Sequence, residues 1–257
     1  MNSATVRNLL VRGMLAGLTA GVLALVVAYF LGEPYVDKAI GFEETHASAH
    51  EHEVELVSRS LQSTAGLATG VLIYGIAFGG IAALAYCFLL GRVGRFAPRA
   101  AALLLSACAL AAVYVVPFLK YPANPPAVGN PDTIGKRTTL YFLMIVLSVL
   151  LAVAATLLGK RLAPKLGAWY ATVTAVVAFA LAIGLAFAFL PAVNEVPSGF
   201  PATVLWRFRL SALAIQATLW GGFGLVFGEL AERLLNPRPL SAAAAVATSA
   251  VAAPSRP

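Results

Sequence analysis

The stretch that decides the fold is GMLAGLTAGVLALVVAYFLG, Gly13 to Gly32, which carries no charge between Arg12 and Glu33. A helix needs about 20 mostly apolar residues to cross the hydrocarbon core of a bilayer, so this segment has the length and polarity of a membrane span. Five more charge-free stretches follow, bounded by Arg59 and Arg92, Arg99 and Lys120, Arg137 and Lys160, Lys165 and Glu195, and Arg209 and Glu229. The whole chain agrees with them. Of 257 residues 60% are hydrophobic and 11% charged, and the mean hydropathy is +0.85, whereas soluble domains carry about a quarter charged residues.

The reading is an all-α integral membrane protein, a bundle of about six transmembrane helices over 13–31, 65–90, 100–119, 138–158, 167–190 and 210–228. They lie in a membrane domain of residues 1–235. Residues 236–257, which include SAAAAVATSAVAAPSRP, are low in complexity and read as a disordered cytoplasmic tail. Arg7 and Arg12 ahead of an apolar run resemble the start of a signal peptide, but the run is long and no A-x-A site follows, so it reads as a retained helix. Cys87 and Cys108 fall at different predicted depths and read as small packing residues rather than a disulfide.

Lysine and arginine concentrate on the cytoplasmic side of membrane proteins. With the N-terminus inside, the inner segments hold eleven basic and two acidic residues and the outer segments seven basic and nine acidic ones. Both termini are then cytoplasmic, and the net charge of +7 reports topology rather than a nucleic-acid surface. The inner loops GRVGRFAPRA and GKRLAPKLG are short and basic. The outer loops, 32–63, 120–137 and 191–209, are long, and the last two hold Pro122, Pro125, Pro126, Pro131, Pro191, Pro197 and Pro201. Fixed φ at each proline predicts stiff, shaped segments.

Helix packing is legible in glycine. Without a hydrophobic drive between helices in lipid, close approach through small residues matters more. Gly13, Gly17 and Gly21 recur every four residues on one helix face, and Gly66/Gly70, Gly75/Gly79 and Gly224/Gly228 repeat the pattern elsewhere. Helix ends at Phe30-Leu31, Phe118-Leu119 and Phe189-Leu190, each followed by proline, suggest three outward-opening hairpins or a coincidence of common residues.

Several catalytic patterns fail on spacing. GNPDTIGKRT, from Gly129, has five residues between its glycines where a phosphate loop has four, and Arg137 stands where a hydroxyl is required. HEHEVE has no second His at the distance of a zinc-protease helix. No nucleophile–His pair can be assembled, since every histidine lies in one short segment. The chain is read as no enzyme, and no resident cofactor is expected.

That segment is EETHASAHEHE, Glu43 to Glu53. At 100° per residue Glu43, His46, His50 and Glu53 share an 80° arc of a helix, a mixed N/O set of the kind that binds borderline divalent metals. A loop could instead wrap one ion with His46, His50, His52 and Glu51. The alternatives are a solvated acidic loop or a pH-responsive one. Asp132, Glu195, Arg207 and Arg209, with Lys136 and Arg137, are expected either to form an ion-pair ring joining the outer loops, a structural or ion-path role, or to contact headgroups. Gln216, deep in the last helix, suggests a bond between helices, and Glu229 and Glu232 at its inner end have no role beyond an exit ligand.

The motifs RGMLAGLTAG, GEPYVDKAIGFEE followed by HASAHEHE, VSRSLQSTAGL, PFLKYPANPPAVGNPDTIGKRT and NEVPSGFPATVLWRFRLSAL span nearly the whole chain. On them the chain resembles CbtA, a family of probable cobalt transporter subunits. The resemblance implies a multi-pass protein of the bacterial inner membrane that supplies Co²⁺ for cobalamin synthesis. It also implies a small single-helix His-bearing partner, CbtB-like. On that footing His46, His50, His52, Glu43, Glu51 and Glu53 are the expected outer metal-capturing residues, and Co²⁺ is cargo. The alternatives are a membrane metal sensor, an assembly scaffold for the partner, or a transporter of another divalent metal such as nickel.

Overall fold

The computed structural model describes residues 2–46, 57–92, 94 and 96–236. Among them every regular element is helical, in five long runs: α1 (Ser3–His46), α2 (Arg59–Leu89), α3 (Pro98–Lys120), α4 (Ile134–Phe189) and α5 (Ala202–Leu235). All five are long and apolar enough to cross a membrane. The expected tail lies almost wholly outside the described residues, which end at Asn236.

The α4 run is two helices. At 56 residues it would be about 84 Å long if straight, far beyond a bilayer. Gly167 breaks it with φ 76° and ψ 162°, a left-handed backbone that other residues rarely adopt. The arms then fold back on each other: Leu140 and Met144 of the first share a cluster with Ile183 of the second, and Gly159 faces Ala175. The sequence expectation ended the first arm at 158. The helix instead continues through Lys160, Arg161 and Pro164, because backbone hydrogen bonding does not stop where the apolar stretch stops.

The same reason extends α1. The outer loop expected over 32–63 is helical as far as His46, and α2 begins at Arg59 rather than 65. The 44 residues of α1 span about 66 Å, so its last turns stand beyond the hydrocarbon. Pro34 lies inside this helix. It is accommodated by a widened π-helical turn, Ala28–Gly32, just before it, where the Glu33 N–H reaches the Ala28 carbonyl. Pro117 of α3 follows the π turn Leu110–Val115 at the same spacing. A wide turn relieves the clash between a proline ring and the carbonyl four residues back.

α1 sits at the centre, packed against α2 and α5, and α3 packs on the other side of α5. The main core joins Leu9, Ala16 and Ala20 of α1, Phe78, Ala83 and Tyr86 of α2, Ala102 of α3, and Leu219, Phe223 and Phe227 of α5. The glycine reading holds where the helices cross. A Cβ on Gly13 would lie 2.6 Å from the Gly79 carbonyl oxygen, and one on Gly17 would lie 2.8 Å from the Gly79 Cα. Gly224 packs against Ser106. Gly70 has nothing within reach. The α4 hairpin leans on the end of α3 and is otherwise open: 11% of its most apolar stretch is buried, against 28% to 39% in the other runs, which leaves its Leu, Val and Phe side chains for lipid.

The first turns of α1, the start of α3 and the last turns of α5 lie at one end of the bundle. Arg12 donates to the Leu230 carbonyl, Arg99 pairs with Glu229 at 2.8 Å, and the Arg99 N–H donates to Glu232 at 3.2 Å. Glu229 also pairs with Arg233. These carboxylates therefore bind helix ends together. Gln216 accepts from Trp220 of its own helix at 3.2 Å, where a bond between helices was expected.

Gly17→Val should drive a side chain into the α2 backbone, an overpacking cost of about 1–3 kcal/mol or more. Thermal unfolding in detergent should show a lowered midpoint for Gly17→Val and an equal or higher one for Gly70→Ala, where the added methyl meets open space.

Candidate functional site

The end of the molecule that carries the loops expected to lie outside, called the outer end below, is organised by the part of α1 that runs past its apolar stretch. Glu33 and Asp37, one turn apart on that extension, both engage Arg59 at the start of α2; the Asp37 contact is 2.9 Å. Two residues on, Ala39 is wholly buried. It lies beneath Val128 and Phe200, one from each proline-rich outer loop.

Those loops meet Ala39 with the same local device. In Pro125-Pro126-Ala127-Val128 the Val128 N–H donates to the Pro125 carbonyl at 3.3 Å. In Pro197-Ser198-Gly199-Phe200 the Phe200 N–H donates to the Pro197 carbonyl at 3.2 Å. Each is a four-residue turn with a left-handed third residue, Ala127 at φ 65° and Gly199 at φ 87°. Alanine carries strain there, and burial of Val128 beside Ala39 and Phe200 holds the turn in place.

Glu195 ties the two loops to α4. Its carboxylate accepts from the Asn130 N–H at 2.9 Å and the Thr133 hydroxyl at 2.7 Å, and Arg137 Nε lies 3.3 Å away. The Asn130 N–H, the Thr133 hydroxyl and the nearby Arg137 and Lys136 charges hold this carboxyl below the usual carboxylate range. Tyr121 donates to the Pro191 carbonyl at 2.9 Å, and Lys120 donates to the Phe187 carbonyl at 2.7 Å. Arg209 turns to neutral groups, donating to Asn124 Oδ1 at 2.9 Å and to the Ala123 carbonyl at 3.3 Å.

Between these elements is a cavity of about 630 Å³, within the size range of small-molecule sites. Aromatic side chains from α3 and α4 form its walls, Tyr114, Phe118, Tyr141 and Phe142 among them, and Arg137, Glu195, Arg209, Asn124 and Asn194 supply its polar groups.

The expected ion-pair ring forms only in part. Glu195 and Arg137 pair, Arg209 joins through amide and carbonyl oxygens, and Asp132 and Arg207 are exposed with no ion pair among the described residues.

Of the expected metal-capturing residues, Glu43 and His46 lie on the last turns of α1, exposed. His46 stacks on Phe42, with ring centroids 4.0 Å apart, and its Nδ1 is 2.8 Å from the Phe42 carbonyl. That leaves Nε2 as the outward ring nitrogen. Phe42 meets Phe200 edge-on at 5.0 Å, so the start of the histidine segment rests on the third outer loop. His50, His52, Glu51 and Glu53 lie outside the described residues, and among the described residues no three His, Cys, Asp or Glu side chains gather as a metal site. Ala39, Asn124 and Tyr114 had no signal in the sequence, since each acts only through neighbours that folding brings to it.

The depressed Glu195 pKa has a sign. Its contribution is present above the ordinary carboxylate range, about 4.3, and is lost as pH falls through the lower folded value. Thermal unfolding at neutral pH and at about pH 3 should show Glu195→Gln less stable than the parent at neutral pH and less sensitive to acid. An equal acid loss in both proteins would contradict the anchor.

Comparison with curated proteins and with solved structures gives no match. Residues 6–232 match the family described as probable cobalt transporter subunit (CbtA), and since that is nearly the whole chain, the protein belongs to the CbtA family.

Proposed function

We propose that this chain is the membrane subunit of a Co²⁺ transporter that supplies metal for cobalamin synthesis, with His46, His50, His52, Glu43, Glu51 and Glu53 capturing the ion outside. The family is one of transporter subunits, so a partner is implied; a small single-helix His-bearing protein is the proposed one. In this reading the five helical runs make six crossings of the bacterial inner membrane, with the α4 hairpin counted as two. Both termini face the cytoplasm, on the side of Arg12, Arg99 and Arg233, in keeping with the excess of basic residues there.

The observation that carries the capture role is the position of His46, on the tip of the α1 extension and stacked through Phe42 onto Phe200. An ion taken by imidazole and carboxylate groups there is delivered close to the outer loops. Mixed imidazole and carboxylate ligands suit borderline divalent metals generally, so the preference for cobalt rests on the family. In this reading Asp132, Glu195, Arg207 and Arg209 frame the outer end rather than ligate the ion, since the last two are cations and Glu195 is engaged by Asn130, Thr133 and Arg137.

One observation favours a second reading. Arg137 and Arg209 both line the outer cavity, and two guanidinium charges oppose a bare dication there. A metal sensor or an assembly scaffold would bind metal at the histidine segment without passing it on. Purified protein in liposomes separates the two, because a scaffold binds Co²⁺ with no flux. In cells, His46→Ala combined with His50→Ala and His52→Ala should cut cobalt uptake severalfold at unchanged membrane level. Unchanged uptake in that variant would sink the capture role, and faster uptake of Ni²⁺ than Co²⁺ would reassign the cargo.

A further inference from the structure

We infer that the outer cavity is a binding site for an oxyanion-bearing ligand, one that presents a carboxylate or phosphate group to Arg209. Arg137 has its counter-charge in Glu195, 3.3 Å away. Arg209 is half-buried and has none among the described residues: its two hydrogen bonds go to the Asn124 side-chain oxygen and the Ala123 carbonyl. Taking a guanidinium partly out of water without a counter-ion is unfavourable, so the site is poised for a negative group.

Arg209 also has donors to spare. A guanidinium has five N–H donors in a planar fork, and Arg209 uses two. The remaining donors suit a carboxylate or phosphate, which guanidinium recognises bidentately. Asn124 orients the fork, and Asn194 adds an amide to the lining.

Size and walls then narrow the class. About 630 Å³ is far more than a halide or an inorganic phosphate needs. Tyr114, Tyr141 and Phe142 present aromatic faces to whatever body the acid carries. A dication is the wrong ligand for this cavity, and an organic body carrying an oxyanion is the right one. The site stands whether or not the histidine segment captures metal.

An oxyanion can come from the aqueous side or from an anionic lipid whose headgroup reaches the cavity, and the test distinguishes them. The probe is citrate, titrated calorimetrically into the full chain in phosphatidylcholine nanodiscs. One saturable site is expected, weakened about tenfold or more in Arg209→Gln, as for loss of a charged hydrogen-bond partner. That substitution also removes the bonds to Ala123 and Asn124, so Thr138→Trp is the second variant. Thr138 lines the cavity, and tryptophan there fills the space while leaving Arg209 in place; citrate binding should be lost. Repeating the titration in discs containing phosphatidylglycerol assigns the source. Retained citrate affinity identifies the soluble acid, and displacement of citrate by phosphatidylglycerol identifies the lipid phosphate at the same oxyanion site. No citrate binding together with no retention of phosphatidylglycerol overturns the proposal, as does equal citrate affinity in all three proteins.

Discussion

The arrangement depends on a backbone-to-backbone contact. Helices in lipid gain little from burying apolar side chains against one another, because lipid is as apolar as leucine. What they gain is dispersion, which needs atoms in contact. Gly13 and Gly17 of α1 set their backbone directly against Gly75 and Gly79 of α2, and this close crossing fixes the central helix. α5 packs against the same helix and carries α3 with it. Every feature at the outer end is then placed by where α1 emerges.

That outer end has a second, smaller core, built beyond the apolar stretch of α1. Ala39 is its floor, with no exposed surface, and it can be so only because a residue with no more than a methyl group allows Val128 and Phe200 to close over it. The two loops reach it by turns of the same form, set by proline at the first position of each. Glu195 draws three further groups from the second loop and α4 into one cluster. The result is an aromatic-walled cavity with more positive charge than negative, at the same end of the molecule as His46. In the proposed reading, metal capture and anion recognition are separated in space, the first at the tip of α1 and the second between α3, α4 and the loops.

Much of this was legible before folding. Charge-free stretches located the membrane runs, because a charge is costly in hydrocarbon whatever surrounds it. Glycine spacing marked the face of α1 that packs, because four-residue spacing is a property of the helix itself. The ends were not legible. Gly32 closes an apolar stretch, yet α1 continues to His46, and Pro34, which looks like a stop, is carried by the π turn before it. Composition reports where lipid ends, whereas hydrogen bonding decides where the helix ends.

The candidate site divides in the same way. Residue type alone marked the histidine and glutamate segment as metal-like, because imidazole and carboxylate carry that chemistry anywhere. Glu195 and Arg137 are 58 positions apart, and nothing in either stretch announces their pairing; likewise Arg209 and Asn124 meet only once α5 and the second outer loop are packed together. By itself, then, the sequence determined that this is a membrane helix bundle with shaped outer loops and a metal-like segment, since solvation and helix periodicity are local. Tertiary structure alone decided which charges are compensated and which is left facing a cavity, because a counter-charge acts through distance in space and not through separation along the chain.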